Sequence, residues 1–132
     1  MSKVYSVDEI IPSLVPLNLH QPITPEHVSE SFVELGPVDC GAASVGVWHG
    51  QTPWENHVGD EFLYILDGSV SLTLLRDDDA AHSYHLTAGQ TFTVPAHVWH
   101  RSHAKDPVTM LAVLAAPHGP VSYAEDPRQD AR

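Results

Sequence analysis

The sequence predicts an all-β domain, a sandwich or barrel of short strands. Three observations predict it. Runs of four to seven β-branched, aromatic and aliphatic residues recur along the chain, separated by Gly, Pro and Asp turn signals. Asp67-Gly68 stands between two such runs, the strongest hairpin signal present. No window after Leu14 keeps helical periodicity for three turns.

The elements follow in order. Ser6 to Leu14 suits a short helical turn, with Ser6 as its cap, Asp8 and Glu9 in the first turn, and Pro12 limiting it. Ser31–Leu35 is a strand closed by Gly36-Pro37, and Ala43–Trp48 is the next. Glu61–Leu66 and Ser69–Leu75 form the hairpin about Asp67-Gly68. Arg76 to Ala80 is a polar loop whose Asp77, Asp78 and Asp79 read as a solvated tip. His82–Leu86, Gln90–Val94 and Val108–Leu114 complete the set. The expected organisation is an N-terminal arm (1–30) packing on a barrel (31–117), with a polar tail (118–132) crossing the surface or disordered.

Composition limits the function. The 132 residues suit one domain, and 42% hydrophobic content is enough for a core. Six basic against 17 acidic residues give a formal charge of −11. Nucleic acid and anionic membrane surfaces are therefore excluded as partners, since both need Lys and Arg. No apolar run is long enough to cross a membrane, and the first residues lack the pattern of a signal peptide, so a cytoplasmic location is expected. The single cysteine, Cys40, permits no internal disulfide and reads as a small core filler. Histidine is enriched, at 10 residues, which points to metal or proton chemistry.

Two blocks hold candidate chemistry: Pro53 to Gly68, and Gly89 to His100. Glu55 and His57 are two apart, so in extended chain they share a face. Glu61 opens a strand whose faces, Leu63/Ile65 and Phe62/Tyr64/Leu66, are both apolar, so cover on both sides is expected. A carboxylate there needs a partner, either a metal ion or an arginine. His100 arrives from a separate segment after Pro95. Two imidazoles and two carboxylates suit a divalent ion such as Zn, Mn, Fe or Ni, with open positions rather than a closed structural site.

These blocks resemble the two motifs of the cupin family. Glu55-Asn56-His57 fills the His-x-His slot, followed by three residues, Glu61, six residues and Gly68. Gly89, five residues, Pro95-Ala96-His97, two residues and His100 match the second motif. The resemblance implies a double-stranded β-helix, or jelly-roll barrel, with a metal held by Glu55, His57, Glu61 and His100. It also implies a small polar ligand or substrate, and a homodimer. Dioxygenases, isomerases, cyclases and lyases share this fold, so it selects no reaction. The sequence departs at Glu55 (usually His), His97 (usually Gly) and Ala104 (usually Asn). Two readings stay open at this point. One is a metal site made more anionic by Glu55. The other is a metal-free site in which Glu55 or Glu61, crowded together, serves as an acid or base; such a chain would bind a ligand or serve as a structural dimer. Among the remaining candidates, Trp48, Trp54 and Trp99 read first as core or dimer-interface residues, with the pocket rim as the lesser alternative for Trp54, and the barrel mouth is likewise the lesser alternative for His49 before the Gly50 turn. His97, His103, His82 and His85 read as surface, supporting or ordinary strand residues.

Overall fold

The computed structural model describes residues 3–77 and 80–129. Asp78 and Asp79 of the expected acidic tip lie outside the described residues. Among the described residues ten strands form the barrel: β1 Leu17–Asn18, β2 Phe32–Val38, β3 Gly41–Gln51, β4 Trp54–Glu55, β5 Glu61–Asp67, β6 Ser69–Leu75, β7 Ala81–Thr87, β8 Thr91–Val94, β9 Trp99–Leu114 and β10 Val121–Ser122. Two short α-helices flank β1, α1 at Val7–Ile10 before it and α2 at Pro25–Ser31 after it. No described helix is long and apolar enough to cross a membrane.

The long strand β9 organises the jelly roll, because its two halves belong to different layers. Residues 108–114 lie between β3 and β5, and β8 extends that layer beyond β5. Residues 99–103 pair instead with β6, whose far edge carries β7. On the other side of this first half run the end of β3 and the two residues of β4. Sequence patterning places only the second half of β9 as a strand. Its first half alternates His, Ser and Ala with charged residues, and its pairing comes from neighbours distant in sequence.

The interior is built from the alternating faces. Leu63 and Ile65 of β5, Val70, Leu72 and Leu74 of β6, and Val108 of β9 are all buried. Each such side chain contributes about 1.5–3 kcal/mol relative to exposure. The expectation that β5 is covered on both faces is corrected: Phe62 on its outer face is 41% exposed, and Tyr64 and Leu66 beside it are only partly buried. The hairpin at Asp67-Gly68 forms as expected. Gly68 has φ +83°, and a Cβ there would come within 2.8 Å of the Pro107 carbonyl oxygen, so both backbone conformation and space demand glycine.

The N-terminal arm has more structure than its pattern suggests. Ser6 precedes α1 as expected, yet its carbonyl, not its side chain, takes the Glu9 and Ile10 amides. Helix α2 is absent from the sequence reading because its seven residues carry only one large apolar side chain, Val28. A capping box starts it: the Thr24 hydroxyl accepts from the His27 amide, and His27 Nδ1 accepts from the Thr24 amide. The buried Ser31 hydroxyl then donates to the Val15 and His27 carbonyls, tying α2 to the chain entering β1. Strand β1 runs parallel to β3, with Leu17 beside Trp48. The arm thereby becomes a wall of the barrel.

Candidate metal centre

Three segments converge at one end of the barrel. Strand β4 sets Glu55 directly opposite His100 of β9 in an antiparallel register. His57 follows in the connection to β5, and Glu61 is the first residue of β5, paired with Val94 and Leu114. The β4–β5 connection is held from two directions. The His97 amide donates to the His57 carbonyl at 2.8 Å, and the Ala96 amide to Asp60 Oδ1 at 2.8 Å. From the tail, the Pro120 carbonyl accepts from the Asn56 amide, and Val121 pairs with Glu55. His97 itself has φ +64°. It occupies the left-handed turn position where glycine is the low-cost residue, and a histidine there carries the backbone strain.

All four sequence-predicted residues meet. His57 Nε2 lies 3.3 Å from Glu55 Oε2 and 3.7 Å from Glu61 Oε1. His100 Nε2 lies 3.6 Å from the same Glu61 oxygen. The imidazole centroids are 5.0 Å apart. Both histidines are buried, at 2% and 4% exposure, and their Nε2 atoms have no hydrogen-bond partner. Donor atoms around a shared tetrahedral ion, each at about 2.0–2.2 Å, sit about 3.3–3.6 Å apart. The observed separations match that spacing and exceed ordinary N–H···O bonds. Glu55, His57 and His100 each offer a donor atom within 4.8 Å of the others. Glu61 faces both imidazoles from the side.

The two imidazoles differ in their outer nitrogens. His100 Nδ1 lies 3.0 Å from the Val98 carbonyl, which can only accept. The Nδ1 proton is thereby fixed, and the Nε2 lone pair of a neutral ring points inward, as a ligand requires. His57 Nδ1 instead accepts from the Gly119 amide, at a long 3.5 Å. A neutral His57 so placed carries its proton on Nε2, between the two carboxylates. Burial pulls the His100 pKa down. The Glu61 carboxylate 3.6 Å from Nε2, the Val98 carbonyl and the charge of Glu55 together outweigh it, holding the pKa above the ordinary imidazole value.

A cavity of about 830 Å³ adjoins the cluster, and Glu55, Glu61 and His100 line its floor. Elsewhere its wall is mostly apolar, contributed by Leu17, Leu19, Phe32, Leu63 and Met110 among others. For the small polar molecule that the sequence suggested, the wall offers the Glu–His end and the polar side chains Glu34, Ser44, Thr52, Ser102 and Tyr123. Trp48 lines the cavity; Trp54 does not. Trp54 precedes Glu55 in β4, so its ring takes the opposite face, where the Arg101 guanidinium covers it at 4.4 Å. His49 is likewise off the wall and packs near His20. His85 binds Ser71 on the outer sheet. One contributor was missed: His118, which lines the cavity and packs edge-on to His57 at 5.3 Å. Its only local signal is the His118-Gly119-Pro120 sequence it opens, too common to mark a site.

Comparison with known proteins agrees with this architecture. The profile of the family described as "Cupin domain" matches residues 45–114. A cupin-2 domain containing protein from Shewanella frigidimarina has a similar structure, with 21% identity and TM-score 0.53, covering 64% of this chain and 79% of that one. A hydroquinone 1,2-dioxygenase in complex with Cd2+ and 4-hydroxybenzonitrile is 24% identical at TM-score 0.50, covering 61% and 60%. An oxalate decarboxylase of Bacillus subtilis with Mn(II) centres is 18% identical at TM-score 0.53, covering 70% and 24%. The chain thus spans about three-fifths of the dioxygenase and a quarter of the decarboxylase, and these likenesses concern the fold. No curated protein matches the sequence.

Proposed function

Because the chain belongs to the cupin-domain family, we propose that it holds a divalent metal ion through Glu55, His57, Glu61 and His100 and presents a small molecule to it from the adjoining cavity. One observation carries this reading: two buried imidazole Nε2 atoms without hydrogen-bond partners face two carboxylates. Leaving such polar atoms unpaired costs about 1–3 kcal/mol each, and an ion removes that cost. The donor set is nitrogen and oxygen with no thiolate, which suits Mn, Fe, Zn or Ni. The structural neighbours that hold Cd2+ and Mn(II) are consistent with a divalent ion.

When bound, such an ion supplies Lewis-acid polarisation of an oxygen or a more acidic bound water. The residues divide the remaining work. The Val98 carbonyl orients His100 through Nδ1. Glu61, whose side chain is 13% exposed, stays beside both imidazoles. Glu55 is more open, at 24%, and lines the cavity, so it is the carboxylate placed to exchange a proton with a bound molecule.

The Gly119–His57 contact favours a second reading. With its proton on Nε2, His57 bridges Glu55 and Glu61 without a metal, and the cavity then serves a ligand-binding protein. Elemental analysis after purification without a histidine tag separates the two. Stoichiometric metal in the wild type, lost in His57→Ala and His100→Ala, supports the first. Near-zero metal in all three after supply of Mn, Fe, Zn and Ni rejects it in favour of the second. Where turnover of a screened compound is found, its loss in Glu61→Gln ties it to this site.

A further inference from the structure

We propose that the cavity takes an uncharged, largely apolar organic molecule, with one polar group turned toward Glu55 and His100; this rests on reading the cluster and the cavity as one site. The argument comes from the charges on the wall. Besides histidine, the charged residues lining the cavity are Glu34, Glu55 and Glu61, all acidic. No Lys or Arg among the described residues lines it. The basic side chains are placed elsewhere: Lys3 over Tyr5, Arg76 by Tyr84, Arg101 over Trp54, Arg128 with Asp126, and Lys105 exposed on β9.

An anion entering this space gives up its hydration and meets carboxylates, and among the described residues no Lys or Arg lines the wall to pair with it. A divalent ion offsets the two charges of Glu55 and Glu61 and leaves Glu34 uncompensated. A cation faces a different obstacle. The body of the cavity offers it mostly apolar side chains, such as Leu17, Leu19, Phe32 and Leu63, and the scattered hydroxyls of Ser44, Thr52, Ser102 and Tyr123 are too few to replace its water shell. An uncharged molecule loses least on entry and gains from each apolar surface it covers.

The wall also assigns the source of selectivity. The family profile begins at residue 45, whereas Leu17, Leu19, Ile23, Val28 and Phe32 all precede it. One side of the apolar surface, at Leu17, Leu19, Ile23 and Val28, is therefore built by the N-terminal arm, positioned by the Thr24 capping box and the buried Ser31. The barrel supplies the polar end and the facing apolar residues Trp48, Leu63 and Met110, and the arm adds the surface outside the family profile that sorts molecules by shape and polarity.

A probe series with one ring system and different head groups tests this: 2-naphthol, 2-naphthoate, 2-naphthyl phosphate and 2-naphthylmethylammonium. Isothermal titration calorimetry on the full chain, chelator-treated and metal-supplied, gives the affinities, and elemental analysis of the same samples gives the metal content. The expected result is 2-naphthol binding about tenfold or more tightly than every charged analogue. Ile23→Asp and Val28→Asp, at side chains 48% and 42% exposed where a charge is compatible with folding, are each expected to weaken 2-naphthol about tenfold without changing metal content. A charged analogue binding as tightly as 2-naphthol overturns the proposal. So does absence of 2-naphthol binding at millimolar concentration, or wild-type affinity in both folded Asp variants, with folding checked by circular dichroism. The metal reading fails separately: a chain that takes up no metal yet selects 2-naphthol removes the ion and keeps the apolar ligand.

Discussion

Glu55 and His100 are direct cross-strand partners, one on each of two antiparallel strands, β4 and β9. Opposed residues on such a pair share a face, with Cβ atoms about 4.5–5.5 Å apart. This register makes a carboxylate the neighbour of a buried imidazole, and β10 fixes it from the other side by pairing Val121 with Glu55. The chemistry at this end of the barrel therefore depends on what residue 55 is.

Replacing that carboxylate should change metal preference. Carboxylate oxygen favours harder ions, whereas a third imidazole favours copper. Glu55→His is expected to raise affinity for Cu(II) relative to Mn(II) by about tenfold or more, measured by competition with a chelator of known affinity. An unchanged ratio would place Glu55 outside the coordination sphere.

The raised His100 pKa gives a pH dependence of defined sign in the metal-free protein. A group protonated more readily when folded stabilises the fold fully below its unfolded pKa of about 6.5. That contribution is lost as pH rises through the folded value. The stability difference between wild type and His100→Asn should therefore shrink from acidic to alkaline pH in urea titrations, after chelation. NMR titration of His100 adds an ordering. Glu61, 3.6 Å from His100 Nε2, acts on it more strongly than Glu55 does. Glu61→Gln should lower the His100 pKa more than Glu55→Gln does, and the reverse order would contradict the geometry.

Gly119 touches the site through its backbone. A Cβ at this position would overlap the Asn56 carbonyl and approach the His57 Cα at 3.3 Å. Gly119→Ala should push the tail off the β4–β5 connection and cost about 1–3 kcal/mol in urea unfolding. If His57 coordinates a metal through Nε2, its proton moves to Nδ1 and the Gly119 amide loses its acceptor. Addition of metal should then shift the Gly119 amide resonance, and a resonance unmoved at full metal occupancy would show that His57 keeps its metal-free tautomer.

The N-terminal wall should be separable from the metal centre. Thr24→Ala removes the hydroxyl that caps α2, a loss of about 1 kcal/mol in stability. It should weaken apolar ligands in the cavity and leave metal affinity unchanged. Equal losses in both would mean that the arm and the cluster form one cooperative unit.

The local physics of the sequence determined the barrel strands and most of the site. A continuous apolar run marks β5, alternating apolar residues mark β6, and Asp67-Gly68 marks their turn, because apolar patterning and left-handed backbone are properties of adjacent residues. The spacing of Glu55, His57 and Glu61, and of Gly89 and His100, marked the four candidate ligands. Tertiary structure alone decided the rest. Strands of two residues, β1, β4 and β10, have no periodicity to read; they form because β3 offers unpaired backbone groups to β1, β9 to β4, and β4 in turn to β10. His118, the opposition of Glu55 and His100, and the apolar wall raised by α2 arise from contacts between segments far apart in the chain. Register and cavity lining are set where the whole chain satisfies its buried hydrogen bonds and packs its core, and no local window contains that information.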